Sequence, residues 1–329
     1  MTGVQTCALP ISRTNVDLLF DRVSSLPNEG EERYAEGFAM ELGGGPIATL
    51  IHLQRLGVAT RIASYFGGDS FSAFALRELE RMGAASITNL YEGSAIPVNI
   101  SAAILTPTDR TFVSYTGLDG GNRHEASDAE LDRAYTALRG AKLVAMQPGY
   151  LELYRKLRRE GTRFVFDIGW EEDPGFRKYA EYLKLADIFT PNEKEAAQIA
   201  GTDDPEKALA YLSETFAYPI LTLSRKGCLF RADGKTFLAP PIDQGPCVDA
   251  TGAGDAFLAG LIYGILSDAP LYRAITYANI LGGNAVTALG CLTATMTRER
   301  LTALADAHEG DIQPVGRSEE RRVGKECRS

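Results

Sequence analysis

The sequence predicts an α/β protein with a doubly wound, mostly parallel sheet and a small β lid. Short apolar runs alternate with helical patterns along most of the 329 residues, which is typical of parallel strands buried on both faces. One hairpin pattern interrupts this alternation in the first half of the chain. Hairpins do not belong inside a doubly wound sheet, so we assign this one to a separate small sheet.

The first half of the chain begins with Val16–Phe20, which is typical of the end of a buried strand, and continues with an extended segment at residues 33–42. A helical pattern then runs from Ile47 to Leu56, a strand pattern from Val58 to Tyr65, and a second helical pattern from Phe71 to Met82. These spacings predict a helix, a strand and a helix in that order.

The hairpin consists of two strand patterns, Val98–Leu105 and Arg110–Tyr115, on either side of Thr106–Asp109. The sequence Thr-Pro-Thr-Asp favours a turn because proline and aspartate both adopt turn conformations readily. We expect this hairpin, within residues 97–116, to form the lid together with residues 33–42, as an insertion in the main domain.

Past residue 125 the alternation is more regular. Four short apolar runs suit central parallel strands, and an Asp-Gly turn lies between two strand patterns of an edge hairpin, Cys228–Arg231 and Thr236–Ala239. Two final helices are expected, over about residues 254–267 and 270–289. The four runs and the helices between them include Lys142–Met146, Leu151–Arg159, Arg163–Ile168, Asp187–Phe189, Glu193–Ala200 and Ile220–Leu223.

Composition narrows the functional classes. The net charge is −9 and the body of the chain has no cluster of lysine and arginine, which argues against a nucleic-acid partner. No apolar run has membrane-spanning length and no signal-peptide pattern opens the chain, so we expect no membrane partner. The five cysteines, at positions 7, 228, 247, 291 and 327, show no paired spacing. Isolated cysteines favour reduced thiols in a cytoplasmic protein.

Both ends of the chain differ from the rest. Residues 1–12 carry no charge and no periodicity, and residues 316–329 form a charged, non-periodic segment. We therefore expect the folded domain to span residues 13–315, with a leader and a tail that are foreign to it. The first strand should begin before Asn15, with its original start replaced by the leader.

The most informative stretch is Val248–Phe257, in which small residues lead directly into an acid and an apolar helix. This pattern predicts a turn from strand to helix over Gly252–Asp255. Glycines let a ligand approach the backbone closely, and the first N–H groups of a helix attract anions. An ionised Asp255 beside such a site can accept a proton from an attacking hydroxyl. The structural alternative is an N-capped, buried helix after a glycine-rich turn.

The string DATGAGDAF resembles the C-terminal signature of the ribokinase-like, or PfkB, family of sugar and nucleoside kinases, and the resemblance extends over about residues 14–312. It implies ATP-dependent phosphorylation of a hydroxyl on a sugar or sugar-like small molecule. Asp255 would be the general base, and the N–H groups of Gly252, Ala253 and Gly254 would form the anion hole. The resemblance also implies a homodimer that pairs through the lids.

The family's sugar-binding positions match a second set of residues, and these are Asn15, Asp17, Gly43, Gly44 and Gly45. We expect the first two at the end of the first strand, where open α/β sheets bind ligands, and the glycines at the start of a helix. The alternative is a surface acid and an ordinary glycine loop. The chain departs from the family at Ala48, where an asparagine usually contacts the sugar, because a methyl group cannot replace the hydrogen bonds of an amide.

Two further motifs imply the ATP and Mg²⁺ sites. Asn192 and Glu195 match the family's N-x-x-E element, so Asn192 would lie beside phosphate oxygens and Glu195 would hold Mg²⁺ through water. An N-cap with acidic residues in the first helical turn explains the same pattern and is compatible with that role. The resemblance assigns nucleotide binding to Thr222, Ser224, Lys226, Gly227 and Asn279.

A monovalent-cation site is implied by the resemblance alone. Related kinases bind such an ion, usually K⁺, through an acid and a set of backbone carbonyls, which are ligands that suit K⁺. The corresponding residues here are Asp249, Thr251, Ala285, Ala288, Gly290 and Thr295.

Other functional classes fit less well. The sequence has no GxxxxGK[ST] string and no GxGxxG after the first strand, which excludes P-loop chemistry and argues against a nicotinamide-dependent dehydrogenase. Two alternatives stay open. One is a nucleoside kinase of the same family, and the other is a non-catalytic protein that binds a sugar or a nucleotide on the same fold.

Overall fold

The computed structural model describes residues 6–11, 13–84, 86–117, 126–167 and 176–315. The predicted tail at 316–329, the leader residues 1–5 and 12, and the Ile168 end of one predicted strand lie outside these ranges. Within them the chain forms one sheet of ten strands, a second sheet of four strands, and helices between the strands. The α/β class predicted from the sequence is confirmed.

Fourteen strands and ten α-helices occur in the described residues. The strands are β1 (Thr6–Ile11), β2 (Asn15–Asp21), β3 (Gly37–Gly43), β4 (Ala59–Ser64), β5 (Ser86–Asn89), β6 (Asn99–Leu105), β7 (Arg110–Tyr115), β8 (Leu143–Met146), β9 (Arg163–Phe166), β10 (Ile188–Phe189), β11 (Tyr218–Thr222), β12 (Cys228–Ala232), β13 (Lys235–Ala239) and β14 (Gln313–Val315). The helices are α1 (Gly45–Arg55), α2 (Ser70–Arg81), α3 (Asp128–Leu138), α4 (Leu151–Arg159), α5 (Ala180–Leu185), α6 (Glu193–Ala200), α7 (Pro205–Leu212), α8 (Ala253–Leu266), α9 (Leu271–Ala285) and α10 (Arg298–Ala307).

The main sheet is mostly parallel, as predicted. Its order is β14-β13-β12-β11-β10-β9-β8-β1-β4-β5. All pairs from β11 to β5 are parallel, and the pairs from β11 to β14 are antiparallel. The carboxyl ends of the parallel strands therefore meet at one edge, which is where ligands bind in open α/β sheets.

Helices cover both faces of the main sheet, which makes it doubly wound. Apolar residues of α1, α8, α9 and α10 pack into one core, and those of α3, α4 and α7 pack into a second core. Successive residues of β8 enter opposite cores, with Leu143 in the first and Val144 in the second. None of the helices within the described ranges is long and apolar enough to span a membrane.

The second sheet is the predicted lid, with the order β3-β2-β6-β7. The assignment of β3 and of the β6–β7 hairpin to this sheet is confirmed, but β2 belongs to it as well. Asn15 and Asp17 therefore begin a lid strand and do not end the first strand of the main sheet. β2 alternates polar Asn15 and Asp17 with apolar residues such as Val16 and Leu18, which is the pattern of a sheet with one buried face.

The leader contributes to the fold, contrary to expectation. Residues Thr6–Ile11 form β1, where Thr6 pairs with Ala59 of β4 and Cys7 pairs with Leu143 of β8. The expectation that residues 1–12 lie outside the domain is therefore wrong for this segment. Since β2 is part of the lid, it cannot fill the gap between β4 and β8, and the segment that precedes it takes that central position.

Two elements follow the helices that we expected to complete the domain. α10 packs through Leu301 and Ala305, and β14 extends the antiparallel edge beyond β13. Only two residues of α10 are buried, so the apolar periodicity that reveals longer helices is weak there.

Deletion of residues 1–12 should prevent folding, because β1 lies in the centre of the main sheet and its loss would leave β4 and β8 with unpaired edges. Soluble yield and thermal unfolding followed by circular dichroism measure the effect. Deletion of residues 316–329 removes none of the described residues and serves as the control, with an unchanged melting temperature. A chain that begins at Arg13 and melts like the full chain would contradict the prediction.

Candidate active site

The glycine-rich turn before α8 has the geometry of an anion-binding helix end. Gly252 has φ 76°, a left-handed conformation that favours glycine. A Cβ on Gly252 would lie 2.9 Å from the Cα of Cys291, so no side chain fits there. α8 begins at Ala253, whose N–H donates to the Ala250 carbonyl at 3.4 Å, and the first N–H groups of a helix have no acceptor within the helix itself. A Cβ on Gly254 would meet no heavy atom within 4 Å, so the space beside this turn is open.

The Asp255 side chain lies between α8 and the start of α1. A Cβ on Gly45 would lie 2.5 Å from Asp255 Oδ1, and the Thr49 hydroxyl donates to the Asp255 carbonyl at 3.1 Å. Desolvation by burial, together with the charge of Asp167, raises the pKa of Asp255 to about 7. A carboxyl group with a pKa near neutrality is well matched to proton transfer at physiological pH.

The three glycines bring a second carboxylate to the same cleft. Gly43 ends β3, and a Cβ on it would lie 2.9 Å from Asp17 Oδ1 and closer still to Oδ2. Gly44 precedes α1 with φ 95°, and Gly45 contacts Asp255. Only glycine allows both carboxylates to approach the backbone so closely. The structure therefore brings the predicted sugar positions and the predicted base together.

The polar residues of the lid share its inner face. Asn15 Nδ2 donates to Asp17 Oδ1 and, at 3.2 Å, to Ser101 Oγ, and Ser101 Oγ bonds Ser114 Oγ at 2.9 Å. Glu41 lies directly opposite Asp17 in the β2–β3 register. Desolvation and the charge of Glu41 raise the pKa of Asp17 to about 6. Sequence reasoning missed Glu41 and Ser101, although alternation along the predicted lid strands was a signal for both.

Ala48 does not reach this cleft. It is 1 % exposed and lies in the core that contains α1, where its N–H donates to the Gly44 carbonyl at 3.0 Å. An alanine fills the position without a polar group that would need a buried partner. The cleft therefore lacks the amide of the family pattern, and its polar side chains come from the lid strands and from Asp255.

Asn192 and Glu195 form a capping box at the start of α6. Asn192 Oδ1 accepts from the Glu195 N–H at 3.0 Å, and Glu195 Oε2 accepts from the Asn192 N–H at 3.0 Å. The alternative interpretation of this motif, an N-cap with acidic residues in the first helical turn, is thus correct. Desolvation by burial raises the pKa of Glu195, and the charge of Asp167 adds to the effect. The Glu195 carboxylate therefore caps α6, and its predicted role toward Mg²⁺ stays a prediction.

Asp167 is a site residue that sequence reasoning missed. It follows β9 directly, and its charge raises the pKa of both Asp255 and Glu195. An acid at the carboxyl end of a predicted parallel strand was the signal. No three His, Cys, Asp or Glu residues in the described parts of the chain could hold a metal ion by themselves. Mg²⁺ in proteins is commonly held through one or two carboxylates, water and substrate phosphates, and Asp167 and Glu195 are candidates for such carboxylates.

The residues expected to bind nucleotide lie together beside α6. The Thr222 N–H donates to the Pro191 carbonyl at 3.0 Å, and a short 3₁₀ turn begins at Ser224. Lys226 Nζ lies 3.7 Å from Glu193 Oε1. These contacts hold the loop after β11 against the start of the helix that carries Glu195.

Gly227 and Asn279 contact the same backbone segment. A Cβ on Gly227 would lie 2.8 Å from the carbonyl carbon of Pro240, and Asn279 Nδ2 donates to the Ala239 and Pro240 carbonyls at 3.4 and 3.1 Å. Asn279 is buried, so its amide fastens α9 to the end of β13. The contacts of Asn279 thus give it a packing role, and its predicted position near adenine stays a prediction.

Asp249, Thr251 and Gly290 lie together beside the anion turn. The Thr251 hydroxyl donates to Asp249 Oδ1 at 2.6 Å, and the Gly290 N–H donates to Asp249 Oδ2 at 3.0 Å. A residue that we did not predict joins them, because Arg110 Nη1 lies 2.6 Å from Asp249 Oδ1. The pKa of Asp249 is below its ordinary value. Desolvation, the largest single effect, raises it, but hydrogen bonds from Thr251 and Gly290 outweigh this effect.

The other residues assigned to the cation site lie at and after the end of α9. The Asp249 N–H donates to the Val286 carbonyl at 3.3 Å, which places Ala285, the last residue of α9, near this acid. Ala288 and Thr295 follow in the segment before α10. The structure thus brings Asp249, its N–H partners and the end of α9 together.

Comparisons with known proteins point to one family. The profile described as pfkB family carbohydrate kinase matches residues 9–298. A 5-dehydro-2-deoxygluconokinase of Geobacillus kaustophilus is 24% identical over 290 residues, which cover 82% of this chain and 86% of that protein. Arabidopsis thaliana ribokinase, solved with ribose and ATP, has the same fold with a TM-score of 0.73 at 20% identity, over 91% of this chain and 98% of that chain. A putative ribokinase II from E. coli, solved with ATP and Mg²⁺, has a TM-score of 0.73 at 20% identity, over 92% of this chain and 100% of that chain.

Replacement of Asp255 by asparagine should stabilise the folded protein at neutral and alkaline pH. Burial raises the pKa of Asp255 from 3.8 to about 7, so between these values the unfolded chain loses this proton while the folded protein retains it. The stability of the wild type therefore falls as the pH rises from about 4 to about 7 and then levels off. Each unit of pKa elevation corresponds to about 1.4 kcal/mol.

Urea unfolding of both proteins at pH 5 and pH 8 measures this effect. The advantage of Asp255→Asn should be larger at pH 8. Asp132→Asn, at an exposed position on α3, is the control and should show no such pH-dependent gain. An advantage of Asp255→Asn that is equal at both pH values, or larger at pH 5, would show that the Asp255 carboxyl is not desolvated.

Proposed function

The chain belongs to the pfkB family of carbohydrate kinases, and we propose that it transfers the γ-phosphoryl group of ATP to a hydroxyl of a sugar or sugar-like small molecule. The position of the Asp255 carboxylate carries this proposal. It lies at the N-terminal turn of α8 and against Gly45, between an anion-binding helix end and the polar inner face of the lid. A hydroxyl bound there is close both to a base and to a site for phosphoryl oxygens.

Asp255 acts as the general base in this proposal. The attacking hydroxyl must lose its proton as the new O–P bond forms, and the Asp255 carboxylate accepts it. The raised pKa of about 7 makes the carboxylate a stronger base than an exposed aspartate. Because this value does not exceed neutral pH, part of the population is still ionised there, so the group is both basic enough and sufficiently deprotonated to act.

The backbone of residues 252–254 stabilises the transferred group. The N–H groups at the start of α8 point out of the helix, and the helix dipole places partial positive charge there. The three equatorial oxygens of the phosphoryl group carry the charge in the transition state. Fixed donors aimed at these oxygens lower the barrier because they need no reorganisation during the reaction.

The inner face of the lid holds the sugar. Carboxylates at Asp17 and Glu41 accept hydrogen bonds from sugar hydroxyls, while the amide of Asn15 and the hydroxyl of Ser101 both donate and accept. The existing bonds between Asn15, Asp17 and Ser101 keep these groups oriented before the sugar binds. Polar groups fixed in this way determine the orientation of a small ligand.

ATP binds on the other side of Asp255. We assign the phosphates to the anion turn, to Asn192 and to the loop that contains Thr222, Ser224, Lys226 and Gly227, with Asn279 supporting the segment behind that loop. Mg²⁺ would supply positive charge that offsets the charge of the phosphates. Glu195 would hold it through water, and Asp167 lies near enough to Glu195 to influence its ionisation. The lid excludes water that would otherwise hydrolyse ATP.

We also propose that the protein works in the reducing cytoplasm. Cys228, Cys247 and Cys291 are free thiols, with Cys228 and Cys291 buried and Cys247 exposed. Burial raises the pKa of the Cys228 thiol to about 12, so this group stays protonated and unreactive. None of the three is needed in the proposed reaction.

The outer face of the lid supports a homodimer. Leu18, Met40, Ala102 and Val113 lie opposite one another across the four strands, on the face away from Asp17. Phe38 on the same face is 63% exposed and Val113 is 69% exposed. A contiguous exposed apolar face of this kind indicates an interaction surface. The lid of a second copy presents the same face, so two lids can pair around a twofold axis.

Asp255→Asn should keep ATP binding and lose turnover by about 10²–10⁴-fold, the usual contribution of a positioned base. ADP release over a panel of sugars and nucleosides with Mg²⁺ measures turnover, and the same panel identifies the substrate. In the wild type kcat/KM should fall as the pH drops below about 7, because Asp255 becomes protonated.

Asp132→Asn is the control and should behave like the wild type. Near-normal turnover by Asp255→Asn would overturn its role as base. A wild-type protein that binds a sugar but releases no ADP with any member of the panel would favour the non-catalytic binding function, and activity with nucleosides alone would favour a nucleoside kinase.

Val113→Asp should convert the protein from dimer to monomer, because a carboxylate buried without a partner strongly destabilises an apolar interface. Sedimentation velocity measures the change. Tyr211→Asp is the matched control, since Tyr211 is 49% exposed on α7 and far from the lid in sequence. A wild-type monomer, or a Val113→Asp variant that stays dimeric, would contradict pairing through the lids.

A further inference from the structure

The acid of the expected K⁺ site already contacts a cation supplied by the chain. Arg110 Nη1 lies 2.6 Å from Asp249 Oδ1 and also donates to the Thr251 hydroxyl oxygen. Both Asp249 and Thr251 belong to the residue set that the family resemblance assigns to a monovalent cation. The guanidinium therefore occupies one carboxylate oxygen of Asp249 and the hydroxyl oxygen of Thr251.

The other donors around Asp249 leave little room for an additional ion. Its Oδ1 accepts from the Thr251 N–H at 2.9 Å and from the Thr251 hydroxyl at 2.6 Å, and its Oδ2 accepts from the Gly290 N–H at 3.0 Å. K⁺ requires oxygen acceptors of its own, and the Arg110 guanidinium already contacts Asp249 Oδ1 and the Thr251 hydroxyl oxygen. The residues as arranged here do not fit a K⁺ ion in contact with Asp249.

Arg110 reaches this site because of its place in the lid. It is the first residue of β7, after a turn in which the Thr106 N–H donates to the Asp109 carbonyl at 2.9 Å. Arg110 and Ser114 lie on the same face of β7, and Ser114 pairs with Ser101 of the inner face. The side chain therefore extends across the sugar cleft from the lid to the loop before α8.

The contact has a direct connection to the anion hole. Thr251 immediately precedes Gly252, whose left-handed conformation starts the turn into α8. A guanidinium that bonds Asp249 and Thr251 fixes the residue before this turn, and so fixes the direction of the N–H groups that follow. Glu41 of the lid also approaches this region, since a Cβ on Gly290 would contact its carboxylate.

We propose that Arg110 is the cation of this site: when the lid covers the cleft, its guanidinium replaces the monovalent ion and positions the anion hole. Lid closure and charge compensation at Asp249 are then one event. Arg110 is a positioning residue, because it acts on the anion hole through Thr251. The proposal rests on the proposed kinase function only for its effect on turnover, and the contact itself is testable without substrate.

The test compares the wild type with Arg110→Met and Arg110→Lys. The control is Arg33→Met, because Arg33 lies in the segment before β3 and its ion pair among the described residues is with Glu31. Each protein is measured in KCl and in tetramethylammonium chloride at the same ionic strength. The wild type and Arg33→Met should show the same kcat in both salts. Arg110→Met should lose kcat in tetramethylammonium and regain at least about fivefold in K⁺, a typical coupling between linked sites.

A second readout needs no activity. Without substrates, K⁺ should raise the melting temperature of Arg110→Met and leave that of the wild type unchanged, because only the variant has a vacant cation site beside Asp249. Arg110→Lys retains one positive charge without the planar fork, so its response to K⁺ should be smaller than that of Arg110→Met.

Three results would overturn the proposal. They are activation of the wild type by K⁺, a wild-type melting temperature that rises in K⁺, and an Arg110→Met variant whose activity and melting temperature both ignore K⁺. If no protein in the series phosphorylates any sugar, the kinase function fails. The K⁺-dependent melting of Arg110→Met then still decides whether Arg110 occupies the cation site.

Discussion

Close contact between α8 and α9 fixes the geometry on which the site depends. A Cβ on Gly260 would lie 2.5 Å from the Tyr277 carbonyl oxygen, and one on Gly264 would lie 2.5 Å from the Ala274 Cβ. The two helices therefore meet at backbone distance, and every residue of α8 from 256 to 266 is buried. A helix packed on all sides cannot slide along its axis without opening voids. Its first turn, with Asp255, is held in place by the whole core.

Several carboxylates lie in the cleft around the first turn of α8. Burial and mutual repulsion raise the pKa values of Asp17, Glu41, Glu195 and Asp255, so the protein alone holds its carboxylates at a cost in stability. In our proposals positive charge arrives from two directions. Arg110 comes with the lid, and the metal ion comes with the nucleotide. In these proposals lid closure and nucleotide binding both reduce the repulsion between the carboxylates of the cleft.

The sequence predicted the parallel sheet, the lid hairpin and the glycine turn before α8, because each depends on local periodicity or on glycines beside a helix start. It did not predict contacts between distant segments. Arg110 is separated from Asp249 by 139 positions, and no local pattern links them. We placed Val16–Phe20 in the main sheet, whereas it belongs to β2 of the lid. A run of five mostly apolar residues fits a strand of either sheet. We excluded the leader because of its composition. The position that it fills, between β4 and β8 of the main sheet, can be recognised only from the folded structure.

The β6–β7 hairpin has consequences for natural variation. One residue more or fewer before Arg110 would turn its side chain to the outer face and bring apolar residues over the sugar. Two residues more would keep the face but displace the guanidinium by about 7 Å, beyond the reach of Asp249. Homologous chains that keep this arginine should therefore conserve the length of the hairpin strictly, while the outer residues of the lid can exchange freely among apolar types.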